Sequence, residues 1–234
     1  MIILETNSKI SNEIMRIFVQ KLYVILKEKA LIIKQRIKDE HIRIWKATET
    51  YDSLLNGDLN HEFGFKKGTA QGKVDAVLIA MSNSLRVLPK IFKQKGGVYT
   101  GFMIEALSKS ISDEIFQMQE AEVETEKTLS TSFSNDFLPF SGGQQLGGKT
   151  LPWLNWLLRE GNQIIIYNYR YEDIVAPNSR SGKGLMIYDE SEAWRVPAKY
   201  SGTKNSHWLI RALKQERKHL ISEYGRIINE VIRS

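Results

Sequence analysis

The sequence contains no cysteine, and this absence removes several kinds of chemistry. Disulfide bonds, thiol nucleophiles and cysteine-ligated zinc are all excluded, and the composition fits a reducing cytoplasm or a particle assembled in one. The four histidines, which show no HExxH or other metal-ligand spacing, are His41, His61, His207 and His219. A GxSxG nucleophile motif is also missing. We therefore expect no enzymatic activity, no catalytic residues, no metal and no cofactor.

Uninterrupted apolar runs are missing as well. The most apolar long segment, residues 14–33, is broken by charged residues, which are Arg16, Lys21, Lys27, Glu28 and Lys29. It is therefore a poor transmembrane helix, and we expect no membrane association. The first residues, MIILETNSK, do not show a cationic leader followed by an apolar stretch, so we expect no signal peptide.

The residues that are present describe an ordinary globular chain with a basic balance. Its 234 residues are 42% hydrophobic and 26% charged, enough to build one α+β domain with a sizeable core. Lys and Arg outnumber Asp and Glu by 33 to 27, which gives a net charge of +6 and a pI near 9.3. A basic excess of this kind favours nucleic acid, a membrane surface or an acidic protein as partner.

The N-terminal segment predicts one long helix, or two nearly collinear ones, over residues 9–47. Apolar residues recur there at three- and four-residue spacing, from Ile10, Ile14, Ile17 and Phe18 through Leu22, Ile25 and Leu26 to Ile44. Residues 9–46 hold ten Lys or Arg and four Asp or Glu, so the polar face is cationic. Such a face either keeps a long helix soluble or faces DNA phosphates or an acidic ring partner.

Three strands and a turn are expected next. Residues 51–65, YDSLLNGDLNHEFGF, indicate a short apolar turn broken at Asn56-Gly57 and anchored by Leu59, Phe63 and Phe65. The alternation in residues 74–81 predicts one strand, residues 84–92 a second with an edge or bend at Pro89, and residues 98–107 a third with a bulge at Gly101.

Residues 108–149 differ in composition, and we interpret them as an insertion between two core segments, 1–107 and 150–234. Residues 112–126 hold six acidic residues and no Lys or Arg. A polar Ser/Thr-rich loop follows and carries Phe133, Phe137 and Phe140. A free loop rarely exposes three aromatic residues, so the arm of residues 130–146 is expected to dock on its own domain or on a neighbouring subunit.

Residues 150–213 hold the densest structural signals. Pro152 suits the first turn of a helix, WLNWLLRE, that places Trp153 and Trp156 on one side and ends at Gly161. Residues 163–172, QIIIYNYRYE, predict a strand on which Tyr167, Tyr169 and Tyr171 alternate. We expect those tyrosines to pack in a sheet, although one face of tyrosines can also stack on bases.

A loop, further strands and a last helix complete the chain. Arg180, Lys183 and Arg195 are a candidate basic cluster for phosphate, a DNA channel or a partner protein. GLMIYDE predicts one strand and the WRVP segment another. A helix capped by Ser206 is expected to run to about Val231.

Two catalytic interpretations compete with these structural ones. Residues 143–150, GQQLGGKT, match the spacing of a phosphate-binding loop, but no apolar strand precedes Gly143 and Pro152 follows almost at once. His61 and Glu62 are adjacent, and adjacent helical residues point apart, so they make a weak acid/base or metal pair.

Three segments together carry a resemblance: WLNWLLREGNQIIIYNYRYE, the SRSGKGLMIY loop and strand, and WRVPAKYSGTKNSHWLIRAL. They look like structural proteins of tailed-bacteriophage virions, and the general plan resembles the neck and tail-completion (head-tail joining) class. The resemblance is closer over residues 150–213 than over residues 10–107. Smaller members of that class have nothing like residues 108–149.

The resemblance implies a non-enzymatic subunit of a homo-oligomeric ring, commonly sixfold, that lies between the capsid portal and the tail of the virion and is assembled in the host cytoplasm. Its partners would be portal or adaptor proteins, tail-tube or terminator proteins, and DNA in the channel without sequence specificity. We expect Phe133, Phe137 and Phe140 to anchor the subunit contact. The alternatives are a tail terminator or other tail protein, and a basic nucleic-acid-binding protein.

Overall fold

The computed structural model describes residues 9–94, 97–105, 123–124, 150–151, 153–161, 163–175, 182–203 and 205–234. Its helices are α1 (Lys9–Lys46), α2 (Glu49–Asn56), α3 (Asp58–Glu62), α4 (Ala70–Asn83), α5 (Trp153–Leu158), α6 (Trp208–Gln215) and α7 (Arg217–Arg233). Its strands are β1 (Arg86–Gln94), β2 (Gly97–Glu105), β3 (Val123–Glu124), β4 (Thr150–Leu151), β5 (Ile166–Glu172) and β6 (Leu185–Trp194). The predicted α+β class, with a long N-terminal helix and a C-terminal helix, is confirmed.

The strands pair antiparallel, as predicted, but in separate two-stranded ribbons within the described residues: β1 with β2, β3 with β4, and β5 with β6. The β1–β2 register runs unbroken from Arg86↔Glu105 to Gln94↔Gly97. Lys90 pairs with Gly101 in that register, so the predicted bulge at Gly101 is wrong. Both strands are edges, which is why β1 tolerates Pro89, a residue without an N–H to donate.

Helix α1 is the axis of the molecule, and two clusters of buried side chains form along it. The larger cluster begins at Ile44 and Trp45 and includes α2, α3, α4, α5, the β5–β6 ribbon and α6. The smaller one joins Ile33 and Ile37 of α1 to Leu85 and Val87 at the start of β1 and to Ile227 and Val231 of α7. The C-terminal half of α1 is therefore fixed from several sides.

The strand predicted at residues 74–81 is wrong, because these residues lie in α4. Val74, Val77, Leu78 and Met81 are buried and follow the i, i+3, i+4, i+7 spacing of a helix face, whereas Ile79 is exposed. In a segment this apolar, alternation and helical spacing coexist. The packing of one face against α1 and α2 decides for the helix.

The turn in residues 51–65 and the tryptophan helix meet around Phe63. The Phe63 ring lies 6.0 Å from Trp153, 6.3 Å from Trp156 and 6.1 Å from Trp194, measured between ring centroids. Both tryptophans of α5 thus face one aromatic cluster, as the sequence predicted. Gly161, with φ 61°, ends the segment that follows α5.

The C-terminal predictions needed two corrections. The expected WRVP strand is absent from the described residues, because β6 continues to Trp194 and residues 195–197 are irregular. The single helix expected from Ser206 is two helices that meet at Glu216, and α6 begins after His207. Ser206 instead forms an isolated bridge with Thr203.

The predicted insertion, residues 108–149, lies outside the described residues except for Val123 and Glu124. The division into a core of residues 1–107 and 150–234 with an inserted arm therefore stays a prediction.

Candidate assembly surface

The N-terminal half of α1 has apolar side chains on two opposite sides. The inner row, Val19, Leu26 and Ile33, is 5%, 2% and 0% exposed. A helix of a globular protein normally carries one apolar stripe toward the core and polar residues elsewhere. This helix does not follow that pattern, because apolar residues also lie on the side that faces away from the core.

Two outer rows of large apolar side chains are exposed to solvent. The first outer row is Ile17, Val24 and Leu31, which are 50%, 53% and 77% exposed. The second outer row is Phe18, Ile25 and Ile32, which are 44%, 41% and 48% exposed. Each half-exposed side chain forgoes about 1 kcal/mol of the hydrophobic stabilisation that full burial would supply. Contiguous apolar surface of this kind marks an interaction site.

The members of each row are seven residues apart, so in a straight α-helix a row drifts by only about 20° from one member to the next. At about 100° per residue, the first outer row lies about 160° around the helix from the inner row, and the second about 100°. Between the outer rows runs a middle row of exposed residues, Ile14, Lys21, Glu28 and Gln35. The outward surface is thus an apolar stripe with one basic and one acidic residue along its centre.

The surface charge on this half of α1 is cationic. Residues 13–34 contain five Lys or Arg and two Glu. The five are Arg16, Lys21, Lys27, Lys29 and Lys34. This part of the helix therefore carries cations and exposed apolar residues together.

In the C-terminal half of α1, the charges are engaged in ion pairs within the molecule. Arg36 Nη1 lies 3.1 Å from Glu230 Oε2 of α7, and His219 Nε2 lies 3.0 Å from Glu40 Oε1. Arg43 Nη2 lies 2.6 Å from the same Glu40 oxygen, and its hydrogen bond lowers the pKa of Glu40. The basic character of both terminal helices, which the sequence shows, is therefore partly used to join α1 to α7.

A groove of about 550 Å³ lies between the end of α1, the start of α2 and α6. Its cations also have structural partners. Arg211 donates to the backbone carbonyls of Tyr200, Ser201 and Ser206, and Lys199 Nζ lies 3.0 Å from Glu49 Oε1. These contacts fix the loop before α6, and we assign the groove no ligand.

The predicted basic cluster is not assembled by the residues that the structure describes. Lys183 precedes β6 and pairs with Asp173 at 3.0 Å, whereas Arg195 directly follows the other end of β6 and is exposed. A ten-residue strand separates them by roughly 30 Å. Arg180 lies outside the described residues, as do Phe133, Phe137 and Phe140.

His61 and Glu62, a weak pair by their adjacent positions in the sequence, have different surroundings in the structure. The Glu62 carboxylate accepts a hydrogen bond from Trp194 Nε1 at 3.2 Å, and burial raises its pKa to about 7. Burial lowers the pKa of His61. Glu62 is thus bound to the aromatic cluster around Phe63 through the indole of Trp194. Of the phosphate-loop motif, only Thr150 is described, and it begins β4.

The three tyrosines of β5 do not share one face. Asn168 has φ 62°, and a register shift between Tyr167 and Tyr169 reverses the alternation. Tyr167 is exposed, whereas Tyr169 is buried and stacks edge-on with Tyr188 across the ribbon at 5.5 Å. Sheet packing is thus confirmed for Tyr169, and a three-tyrosine stacking platform is not formed.

None of the helices in the described residues combines the length and apolarity that crossing a membrane requires. In the same part of the chain, no group of three or more His, Asp or Glu side chains is arranged to hold a metal ion. Comparison with protein-family models, curated proteins and solved structures found no match to this chain.

The outer rows are the feature that sequence reasoning missed. Ile14, Ile17, Phe18 and Ile25 follow the helical spacing that predicts the helix, but all four are exposed. The signal was present in the repeats 17/24/31, 18/25/32 and 19/26/33, since three adjacent apolar rows are too wide for a single stripe.

Proposed function

We propose that this chain is a non-enzymatic structural subunit of a tailed-phage virion, which forms a ring of the neck or tail-completion type between the capsid portal and the tail. Two independent features support the proposal. The first is the resemblance carried by residues 150–213 and, more loosely, by residues 10–107. The second is the outward surface of α1.

The structural observation that carries the proposal of an assembled subunit, as distinct from the contact that closes the ring, is the large apolar surface that a single subunit leaves in water. Seven large apolar residues of α1, from Ile14 to Ile32, are at least 41% exposed. A stable free-standing monomer rarely keeps such a surface on one helix, whereas a subunit of an assembly covers it with a neighbour. Portal or adaptor proteins, tail-tube or terminator proteins and further copies of the chain are the partners that this role requires.

Ring closure needs a heterologous contact, in which one patch of a subunit binds a different patch of the next. We assign this contact to the arm of residues 130–146, with Phe133, Phe137 and Phe140 as anchors. A tail-terminator ring would use the same subunit contact and would differ in the proteins stacked above and below it.

Native mass spectrometry of the purified chain tests the ring, supported by negative-stain electron microscopy. The intact chain is expected to form closed rings. A deletion of residues 130–146 and a triple substitution of Phe133, Phe137 and Phe140 by Ser are both expected to abolish them. A matched control replaces three polar residues of the same arm, Ser132, Ser134 and Asn135, by Ala and is expected to keep the ring. If the intact chain forms no ring, the proposal is contradicted.

The cations on α1 favour a second candidate function, non-specific binding of nucleic acid. That function requires monomers to bind duplex DNA with an affinity that falls steeply as salt rises, because bound cations displace counterions from the phosphates. Substituting Lys27 and Lys34 by Gln should then make the slope of log K against log salt concentration shallower, by the amount expected for about two lost phosphate contacts. Salt-insensitive or undetectable binding by the monomer would remove this candidate.

A further inference from the structure

We propose that the outward surface of α1 is a self-complementary interface, on which residues 14–32 of two copies pack antiparallel about a two-fold axis near residues 24 and 25. The partner is a second copy of this chain. This contact goes beyond the proposed ring. An isologous contact is complete with two copies, whereas a ring needs a heterologous one.

The seven-residue repeat of the outer rows indicates that the partner is a helix. Side chains repeating every seven residues stay on one line only when two helices wrap around each other with a slight left-handed supercoil. Three repeats, from Ile14 to Ile32, span about 28 Å of helix. The outer rows end at Leu31 and Ile32, because the residues seven positions further on are Lys38 and Asp39.

The order of the residues favours an antiparallel partner. When two identical helices pack antiparallel about a two-fold axis, the same row of each copy comes together, with the residue numbers running in opposite directions. The first outer row then places Val24 opposite Val24 and Ile17 opposite Leu31. The second places Ile25 opposite Ile25 and Phe18 opposite Ile32. Every apolar residue of the outer rows meets an apolar residue.

The middle row supplies charge complementarity at the same register. Lys21 of each copy lies opposite Glu28 of the other, so the arrangement forms this pair twice. A parallel pair would place Lys21 opposite Lys21 and Glu28 opposite Glu28, which is repulsive. The charges therefore select the orientation, and the apolar rows supply the attraction.

The area is sufficient for a specific but modest interface. Seven side chains that are 41% to 77% exposed amount to an apolar surface on the order of 500 Å² per copy. Two copies together bury roughly 1,000 Å², which is the lower bound for a specific interface. Because residues 13–34 carry a net positive charge in both copies, we expect moderate salt to strengthen the pairing, the opposite of its effect on DNA binding.

Single-cysteine variants test the register directly, because the chain has no cysteine of its own. Val24→Cys is expected to form disulfide-linked dimers under mild oxidation, since two copies of residue 24 meet at the axis. Ile17→Cys, in the same row and equally exposed, should form none alone and should form a mixed dimer with Leu31→Cys. Cross-linking of Ile17→Cys with itself to the same extent as Val24→Cys would indicate a parallel pair and overturn the proposal.

Charge reversal provides an independent readout that does not depend on cysteine chemistry. Lys21→Glu and Glu28→Lys are each expected to weaken dimerisation at least tenfold in analytical ultracentrifugation, and the double variant is expected to restore it. Ile25→Asp should abolish the dimer, whereas Ile221→Asp, on an exposed site of α7, should not. Equal effects of the single and double charge variants would overturn the assigned register.

The results separate this interface from the proposed ring. If rings form but Val24→Cys does not cross-link, the proposed α1 pair is contradicted and the proposed ring is supported. If Val24→Cys forms dimers but no ring is seen, the proposed ring is contradicted and the α1 pair is supported. Dimers that are abolished by Ile25→Asp and by deletion of residues 112–126, and that do not cross-link through Val24→Cys, would show that the acidic segment of the second copy, and not its α1, covers the surface.

Discussion

Glu62 shows how one buried carboxyl group can oppose the stability of its own fold. Its pKa rises from 4.5 to about 7 because burial disfavours the charged form, while the hydrogen bond from Trp194 acts in the opposite direction. Between these values the folded protein binds more protons than the unfolded chain. The contribution of Glu62 to stability therefore falls as the pH rises from 4.5 to 7.

We expect Glu62→Gln to be more stable than the parent chain at neutral pH. Gln keeps an oxygen that accepts the Trp194 Nε1–H but has no charge to desolvate. The difference in the free energy of unfolding should be near zero at pH 4.5 and reach about 1–3 kcal/mol above pH 7. Urea unfolding across this pH range measures it, with Glu192→Gln on an exposed strand position as control. A difference that does not change with pH would contradict the assigned cause.

His41 and His207 act in the opposite direction over part of the same range. Burial lowers the pKa of each to about 4, and His41 Nε2 shares a hydrogen bond with the Tyr224 hydroxyl. Their neutral forms contribute stability that is present above pH 6.5 and lost as the pH falls toward 4. The parent profile thus combines opposed effects, which is why the Glu62 prediction is stated as a difference between two chains.

Gly202 is required by close packing and not by its backbone angle. A Cβ atom added there would lie 2.5 Å from the Cα of His207, a backbone atom that cannot rotate away. We expect Gly202→Ala to destabilise the fold by about 2–4 kcal/mol, because the loop before α6 must shift. Thermal unfolding measures the loss, and a change below about 0.5 kcal/mol would show that the loop adapts freely.

At the scale of elements, Gly72 tests the helix propensity of α4. Gly72 lies in α4 with open space around its Cβ position. In a helix, Gly72→Ala should stabilise the protein by about 0.5–1 kcal/mol, since Ala has the highest helix propensity and Gly one of the lowest. Gly225→Ala in the established helix α7 is the matched comparison and should change stability by a similar amount. Stabilisation at Gly225 alone would show that residue 72 does not behave as an ordinary position in the interior of a helix.

At the scale of the whole molecule, self-association should make thermal stability depend on protein concentration. A partner that binds only the folded state adds about 2–3 kcal/mol when its concentration is a hundredfold above Kd. We therefore expect the Tm to rise with concentration in the parent chain. Deleting residues 130–146 leaves the α1 pair as the only proposed contact between copies. In that deletion background, the Tm of a chain that also carries Ile25→Asp should not change with protein concentration. A concentration-dependent Tm in that double variant would place the contact elsewhere.

The local sequence was sufficient for features that depend on neighbours along the chain. Residues 9–46 form one helix because their apolar spacing is helical and no Pro or Gly interrupts it. The β1–β2 hairpin and α5 were predicted for similar reasons, from turn residues and from Pro152. The absence of cysteine and the basic composition likewise need no structure to be read.

Tertiary structure decided the features that depend on distant contacts. Residues 74–81 have both an alternating and a helical pattern, and only packing against α1 and α2 selects the helix. Asn168 shifts the register of β5 against β6, so it separates tyrosines that alternate in sequence. In α1, the rows beginning at Ile17, Phe18 and Val19 are equally apolar in sequence. The body of the molecule covers only the row of Val19, because burial is set by what lies opposite a side chain, and a helix pattern does not contain that information.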